Sequence, residues 1–137
     1  MAKESGLGMS CAVDDSGGTA RTISNDITDL KWEMPSDVQE VTGIDKSAKE
    51  RLLLVADFSL TLNGVFNDAS NMSFAVFKNY RTIFAGQVGR TVTLAISGQT
   101  LANEVLFNDF SFSRSDSGEF NWTAPGDLAD GTVPAWT

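Results

Sequence analysis

Residues 105–123 read VLFNDFSFSRSDSGEFNWT, and the way this stretch turns back on itself decides the fold. Two runs that alternate apolar and polar residues flank Ser-Asp-Ser-Gly, a turn sequence. With Ser115, Asp116 and Ser117 at the tip and Gly118 left-handed, Phe112 faces Phe120 and Phe110 faces Trp122, cross-strand aromatic pairs that favour one another. The other face then carries Asp109, Ser111, Ser113, Glu119, Asn121 and Thr123. A slip of one residue would set polar groups against the rings, so the hairpin has one core face and one wet face.

The same alternation recurs upstream. Residues 9–15 (MSCAVDD) predict a first strand, and SGGTA at 16–20 a turn. In residues 27–34, Leu30, Trp32 and Met34 point one way and Asp29, Lys31 and Glu33 the other, until Pro35 and Ser36 end the strand. Residues 52–63 (LLLVADFSLTLN) predict one long strand, with Leu54, Ala56, Phe58, Leu60 and Leu62 inward and Asp57, Ser59 and Thr61 wet. Residues 90–97 alternate again, with Val92, Leu94 and Ile96 inward. Between them, residues 69–80 change to helical spacing and predict one short helix, capped by Asp68 or Ser70. Six or seven strands and one helix imply a mainly β protein: an antiparallel sandwich or barrel with a flanking helix. Residues 36–51 read as a long polar connection, and 124–137, rich in Pro and Gly, as an extended tail whose Trp136 docks on this chain or a neighbour.

The totals narrow the function. A chain of 137 residues predicts one domain, 1–137. No apolar run approaches the roughly 20 residues of a spanning helix, and MAKESGLGMS lacks the apolar centre of a signal peptide, so synthesis in a cytoplasm is expected. The single cysteine, Cys11, reads as a small buried hydrophobe. The absence of histidine removes the commonest general base, most nucleophilic triads and most zinc sites. The net charge of −8 argues against gripping nucleic acid.

No catalytic pattern takes up the remaining residues. VTGIDKSAKERLLL at 41–54 fails as a phosphate loop: Gly43-Ile44-Asp45-Lys46-Ser47 lacks the second glycine, Asp45 adds negative charge and a strand follows. No G-x-S-x-G or S-x-x-K occurs, Asp14-Asp15 and Asp26/Asp29 lack calcium-loop spacing, and no pair among 18 acids is singled out for glycoside chemistry. The sequons at Asn71 and Asn121 are set aside, the second because it lies mid-strand. No catalytic residue, metal or cofactor is therefore expected. Wet sheet faces and long charged loops without a catalyst describe a self-assembling or binding module.

Residues 41–71, VTGIDKSAKERLLLVADFSLTLNGVFNDASN, resemble the major tail proteins of long-tailed bacteriophages, the subunits of the tail tube. MAKESGLG at the start, VDDSGGTAR at 13–21, ISGQTLANEVLF at 96–107 and DGTVPAWT at the end are similar to versions from actinobacterial siphophages. The order of these segments, spanning most of the chain, carries the resemblance. It implies a small β-sandwich or barrel with one flanking helix, six copies to a ring, and rings stacked into a hollow, non-contractile tube in the virion. That tube encloses a tape-measure protein, meets tail terminator and distal tail proteins at its ends, and passes DNA without binding it specifically. It further implies that 35–51 reaches neighbouring subunits, with Val41, Ile44, Asp45, Lys46, Lys49, Glu50 and Arg51, together with Trp136, at inter-subunit contacts. A lumen would be lined from the wet faces: Asp57, Ser59 and Thr61 first, then Asp29 and Glu33 (with Lys31 as a basic exception), Thr91 and Thr93, and Asp109. Six copies would bring 6 × −8 = −48 to each ring, a charge that repels DNA and lets it slide. The alternative is a non-catalytic β-sandwich that decorates a particle and recognises carbohydrate or protein through Tyr80, Phe84 and Trp136.

Overall fold

The computed structural model describes residues 3–137. Ten strands are present: β1 (Ser10–Asp14), β2 (Ala20–Thr22), β3 (Ile27–Glu33), β4 (Ser36–Glu40), β5 (Arg51–Ala56), β6 (Ser59–Val65), β7 (Arg90–Ile96), β8 (Gln99–Phe107), β9 (Ser111–Arg114) and β10 (Phe120–Leu128). One helix, α1 (Ser73–Phe77), lies between β6 and β7. Eight strands form one antiparallel sheet in the order β2-β1-β7-β8-β10-β6-β3, with β9 also on β10; β4 and β5 form a separate two-stranded ribbon. The sheet curls around a single core, giving the mainly β sandwich with one short helix.

Period-two alternation builds that core. On β6, Phe58 at its entry, Leu60 and Leu62 are buried; Val92 and Leu94 come from β7, Leu101, Val105 and Phe107 from β8, and Trp122 and Ala124 from β10. Each such side chain contributes roughly 1.5–3 kcal/mol on burial. Aromatic rings fill the centre: Phe77 of α1 meets Phe107 at 5.0 Å, Trp122 at 5.3 Å and Phe110 at 5.4 Å between centroids. The largest ring needs the smallest neighbour. A Cβ on Gly64 would lie 2.6 Å from Trp122 and against the Asp26 carbonyl, so glycine there lets β6 pass under the indole.

The helix is shorter than its sequence pattern predicts. Neither Asp68 nor Ser70 caps it: Met72 stands at the N-cap, and no side-chain cap bond forms there. Instead Asp26, 2% exposed, accepts from the Ser73 N–H at 3.0 Å and from Asn67 Nδ2 at 2.9 Å. A carboxylate 47 residues upstream thus takes the orphan donor and the positive end of the turn. Asp26→Ala is expected to lower stability by about 2–4 kcal/mol through loss of two charge-assisted bonds, read as a shifted urea midpoint by circular dichroism. Asp26→Asn should recover part of it.

Other expectations shift for identifiable reasons. The 105–123 hairpin keeps its alternation but slips by two residues, Phe112 pairing with Trp122 and Arg114 with Phe120, and toward the turn Phe112 and Phe120 of the expected core face are exposed. A three-residue loop closed by Gly118 N–H to Ser115 carbonyl (3.0 Å), with Gly118 at φ 99, sets that register. Phe112 and Phe120 still stack diagonally at 5.0 Å. The strand expected at 105–114 breaks at 108–110, where the Asn108 N–H turns to the Pro125 carbonyl. Residues 52–63 likewise divide at Asp57–Phe58, where the Asp57 N–H donates to the Pro35 carbonyl at 2.8 Å. Leu54 and Met34 are in consequence exposed, not inward. The supposed loop 35–51 contains β4, which pairs with β5 (Val38 with Leu53, Gln39 with Leu52, Glu40 with Arg51). Of the expected tail, residues 124–128 belong to β10, with Pro125 opposite Thr61.

Candidate assembly surfaces

The β4–β5 ribbon stands off the body. β3 and β6 pair inside the sheet, the chain kinks at Pro35 and Asp57, and the same two arms continue outward as β4 and β5. Nothing covers either face: Leu53 is 76% and Val55 74% exposed, Val38, Leu52 and Leu54 are about half exposed, and Ile44 at the tip is fully exposed. At about 60–120 Å2 per apolar side chain, from ~1.5–3 kcal/mol at ~25 cal/mol/Å2, the ribbon leaves roughly 300–500 Å2 of apolar surface in water. One side of a standard interface, about 800 Å2 and a little over half apolar, contains about as much. A two-stranded hairpin is marginal alone; one apolar on both faces calls for a protein partner.

The expected contact residues fall on this ribbon and its tip. Val41 N–H bonds to the Glu50 carbonyl at 2.9 Å, closing the 41–50 loop. Three of the expected charges are paired within the ribbon, Lys46 with Asp45 at 3.8 Å and Lys49 with Glu40 at 3.5 Å, and both pairs are exposed and therefore worth little. Arg51 opens β5 opposite Glu40. The apolar row Leu52–Val55 is the part that the charge pattern did not single out. Its signal is four consecutive apolar residues, which an alternating strand cannot place on one face. Trp136 lies elsewhere. It bridges to Leu101, its ring sits 6.2 Å from Trp32, and Thr137 exchanges hydrogen bonds with Thr100 at 2.8 and 3.0 Å. The tryptophan is docked on its own chain.

The wet-face residues separate into three places. Asp29, Lys31 and Glu33 of β3 register with Asn63, Thr61 and Ser59 of β6, and these with Thr123, Pro125 and Asp127 of β10, forming one continuous polar face. Lys31 pairs with Glu33 at 3.0 Å on that face. Thr91 and Thr93 lie on β7, where Thr91 Oγ1 donates to Glu104 and Thr93 sits between Ala12 and Ala102. Asp57 and Asp109 are on no sheet face. Each stands at a strand break and accepts the N–H of the next residue, Phe58 or Phe110, at 2.8 Å. The break that makes the ribbon is what removes Asp57 from the Ser59–Thr61 row.

No polar arrangement among the described residues suggests catalysis or metal binding: no group of three or more His, Cys, Asp or Glu converges, and burial pushes the Cys11 thiol up to about 12. No helix among them is long and apolar enough to cross a membrane. Of the aromatic patch expected for a carbohydrate, Tyr80 packs against the core and Phe84 lies over Gly18 on the same loop, while Trp136 meets Trp32.

The sequence matches no protein-family model and no curated protein. Solved structures do match it. The tail of an empty gene transfer agent particle, refined with C6 helical symmetry, contains a chain that superposes with a TM-score of 0.73 at 19% identity, over 98% of this chain and 99% of that one. The two chains share one fold. A chain in the virion of the native gene transfer agent particle gives 0.71 at 19% identity over the same shares. One in the six-fold symmetrised baseplate of the anti-feeding prophage gives 0.63 at 12% identity, covering 100% and 97%. All three alignments span nearly the full length of both chains.

Proposed function

We propose that this protein is the structural subunit of a phage tail tube: six copies form a ring, rings stack, and the hollow product encloses a tape-measure protein and later conducts DNA. The observation that carries this reading is the β4–β5 ribbon, apolar on both faces and uncovered, on a fold shared with a chain of a C6-symmetric tail. Heterologous contacts of one patch against a different one generate rings and filaments, whereas a self-complementary patch would stop at a dimer. The unpaired outer edge of β3 offers a second join between copies, since an exposed seven-residue edge strand is a template for pairing.

The lumen is assigned to the β3–β6–β10 face. Asp29, Glu33 and Asp127 give it a negative balance, Lys31 is neutralised by Glu33, and Ser59, Thr61 and Thr123 provide a polar surface with no cluster of bases to hold phosphates. Thr91 and Thr93, on a strand two places from β10 and four from β3 in the curled sheet, face outward from the tube. The protein makes no bond-breaking chemistry in this role, and its place is the virion tail.

Electron microscopy of the concentrated purified protein, with and without tail partners, tests the reading. Rings or tubes with a central hole are the expected result; a species that stays monomeric under all these conditions would overturn it. Reversing the tip charges, Lys46→Glu with Lys49→Glu, is expected to impair assembly while leaving the melting temperature within about 2 °C, because exposed pairs contribute little to folding.

A further inference from the structure

Residues 69–103 contain three bases, Lys78, Arg81 and Arg90, and no acid, in a chain of net charge −8. Arg90 is buried beneath loop 78–84 and bonds its carbonyls, Asn79 at 2.7 Å and Thr82 at 3.0 Å, so the loop is held rigid. Lys78 and Arg81 are exposed on it, and neither makes a salt bridge among the described residues. Arg81 lies over the Tyr80 ring at 5.5 Å, and Phe84, 48% exposed, closes the loop against Gly18. Nearby acids do not cancel this charge: Asp15 is paired with Arg21 at 2.9 Å and Asp14 is buried.

At the root of the ribbon is a groove of about 330 Å3 with the opposite character. Pro35, Val55, Ala56 and Leu128 give it an apolar floor, and Asp37 and Asp57 line its rim, with no base among the lining residues. The two surfaces lie at one level of the sheet. Arg90 pairs with Val105 and Val105 with Leu128; Asp127 pairs with Ser59 and Ser59 with Glu33. Thus β1, which ends at Asp14 beside β7, and β3, which ends at Glu33, both run to the same rim. The loop belongs to the β2–β1 edge and the groove to the β3 edge, the two opposite ends of the sheet.

We propose that loop 78–84 of one copy seats in the ribbon-root groove of the next copy, Lys78 and Arg81 meeting Asp37 and Asp57 while Phe84 covers the apolar floor. Setting the β2 edge of one molecule beside the β3 edge of another brings the two surfaces together without a change of level, and repetition of that step closes a ring. The contact is heterologous, as a ring requires, and its charges select the partner and orientation. The inference rests on the tube reading, whose lateral contact it specifies.

Two reciprocal variants test it. One carries Lys78→Glu and Arg81→Glu; the other carries Asp37→Lys and Asp57→Lys. Each alone is expected to raise the concentration needed for assembly at least tenfold, since loop and groove then carry the same sign. Mixed in equal amounts they alternate, acidic loop in basic groove and basic loop in acidic groove, and assembly should return to the unmixed wild-type level, by sedimentation velocity and microscopy. Because Asp57 also accepts the Phe58 N–H at 2.8 Å, Asp37→Lys with Asp57→Asn serves as a second groove variant that keeps an acceptor there. Assembly of the loop variant at the wild-type concentration, or a mixture of folded variants that stays monomeric, overturns the contact. Wild-type protein that never assembles would overturn the tube reading, and the mixture would still report the contact by the presence or absence of a heterodimer.

Discussion

Replacing Leu53 and Val55 together by aspartate is expected to leave the monomer folded and to abolish its assembly. Both residues lie on one face of β5, two positions apart, and are about three-quarters exposed. Nothing in the monomer depends on them, so the change in folding free energy should stay within about 0.5 kcal/mol, the usual range for surface substitutions. In the assembled state each apolar side chain contributes roughly 1.5–3 kcal/mol of burial. Losing two and burying two carboxylates in their place costs at least ~3–6 kcal/mol per contact, which at 1.4 kcal/mol per decade weakens association by a factor of about 10²–10⁴. Sedimentation velocity and microscopy read the assembly, and thermal melting reads the fold. Normal tubes from the double variant would remove the ribbon from the interface. The opposite result, loss of the fold itself, would mean that the ribbon packs on its own barrel in solution.

The second large effect belongs to the barrel. Arg90→Met is expected to destabilise the protein by about 3–5 kcal/mol. Arg90 is 2% exposed, and its guanidinium donates to the carbonyls of Val76, Asn79 and Thr82, tying the end of α1 to the loop that follows. Burial lowers the Arg90 pKa, and Asp15 and Asp14 oppose that shift; no acidic side chain among the described residues forms a salt bridge with it. Methionine keeps the stem but orphans three carbonyls, each worth about 1–3 kcal/mol when left buried and unsatisfied, less where water enters. Against a total stability of about 5–15 kcal/mol, this lowers the melting temperature by roughly 10–20 °C. Arg90→Lys, a single donor group in place of a fork, should fall between. A melting temperature unchanged within about 2 °C for Arg90→Met would show that the loop holds without the clamp.

How much of this was legible in the sequence depends on the range of the interaction. Strand faces were: Leu60, Leu62, Val92, Leu94 and Trp122 are inward as their alternation predicts, because period two is a property of the extended backbone alone. The Gly118 turn was legible for the same local reason. Arg90 was within reach too. It shares the parity of Val92 and Leu94, and a base on the inward side of a strand signals a buried clamp. The registers were less legible. The 105–123 hairpin slipped by two because a two-residue shift preserves every face and only the closure of the loop distinguishes the alternatives.

The assembly surfaces divide the same way. Composition and the missing histidine suggested a self-assembling or binding module, and the resemblance implied contacts between subunits at 35–51, a stretch that reads as a loop and not as a paired ribbon. Which wet residues share a surface was not available from pattern alone. Asp57 is in phase with Ser59 and Thr61, yet the Pro35–Asp57 hydrogen bond kinks the strand between them. Trp136 could dock on any apolar site until Thr137 is seen beside Thr100.

By itself, then, the amino-acid order determined the alternation of the core strands, the inward faces of β6, β7 and β10, and the mainly β class, since these follow from backbone geometry and the spacing of apolar side chains within a few residues. Only the tertiary structure decided that residues 36–56 form a ribbon standing clear of the core, that Asp26 caps a helix 47 residues away, and that a basic loop and an acidic groove share one rim. Those depend on pairings between distant segments, whose energies are set by which edges and carbonyls happen to meet when the sheet closes.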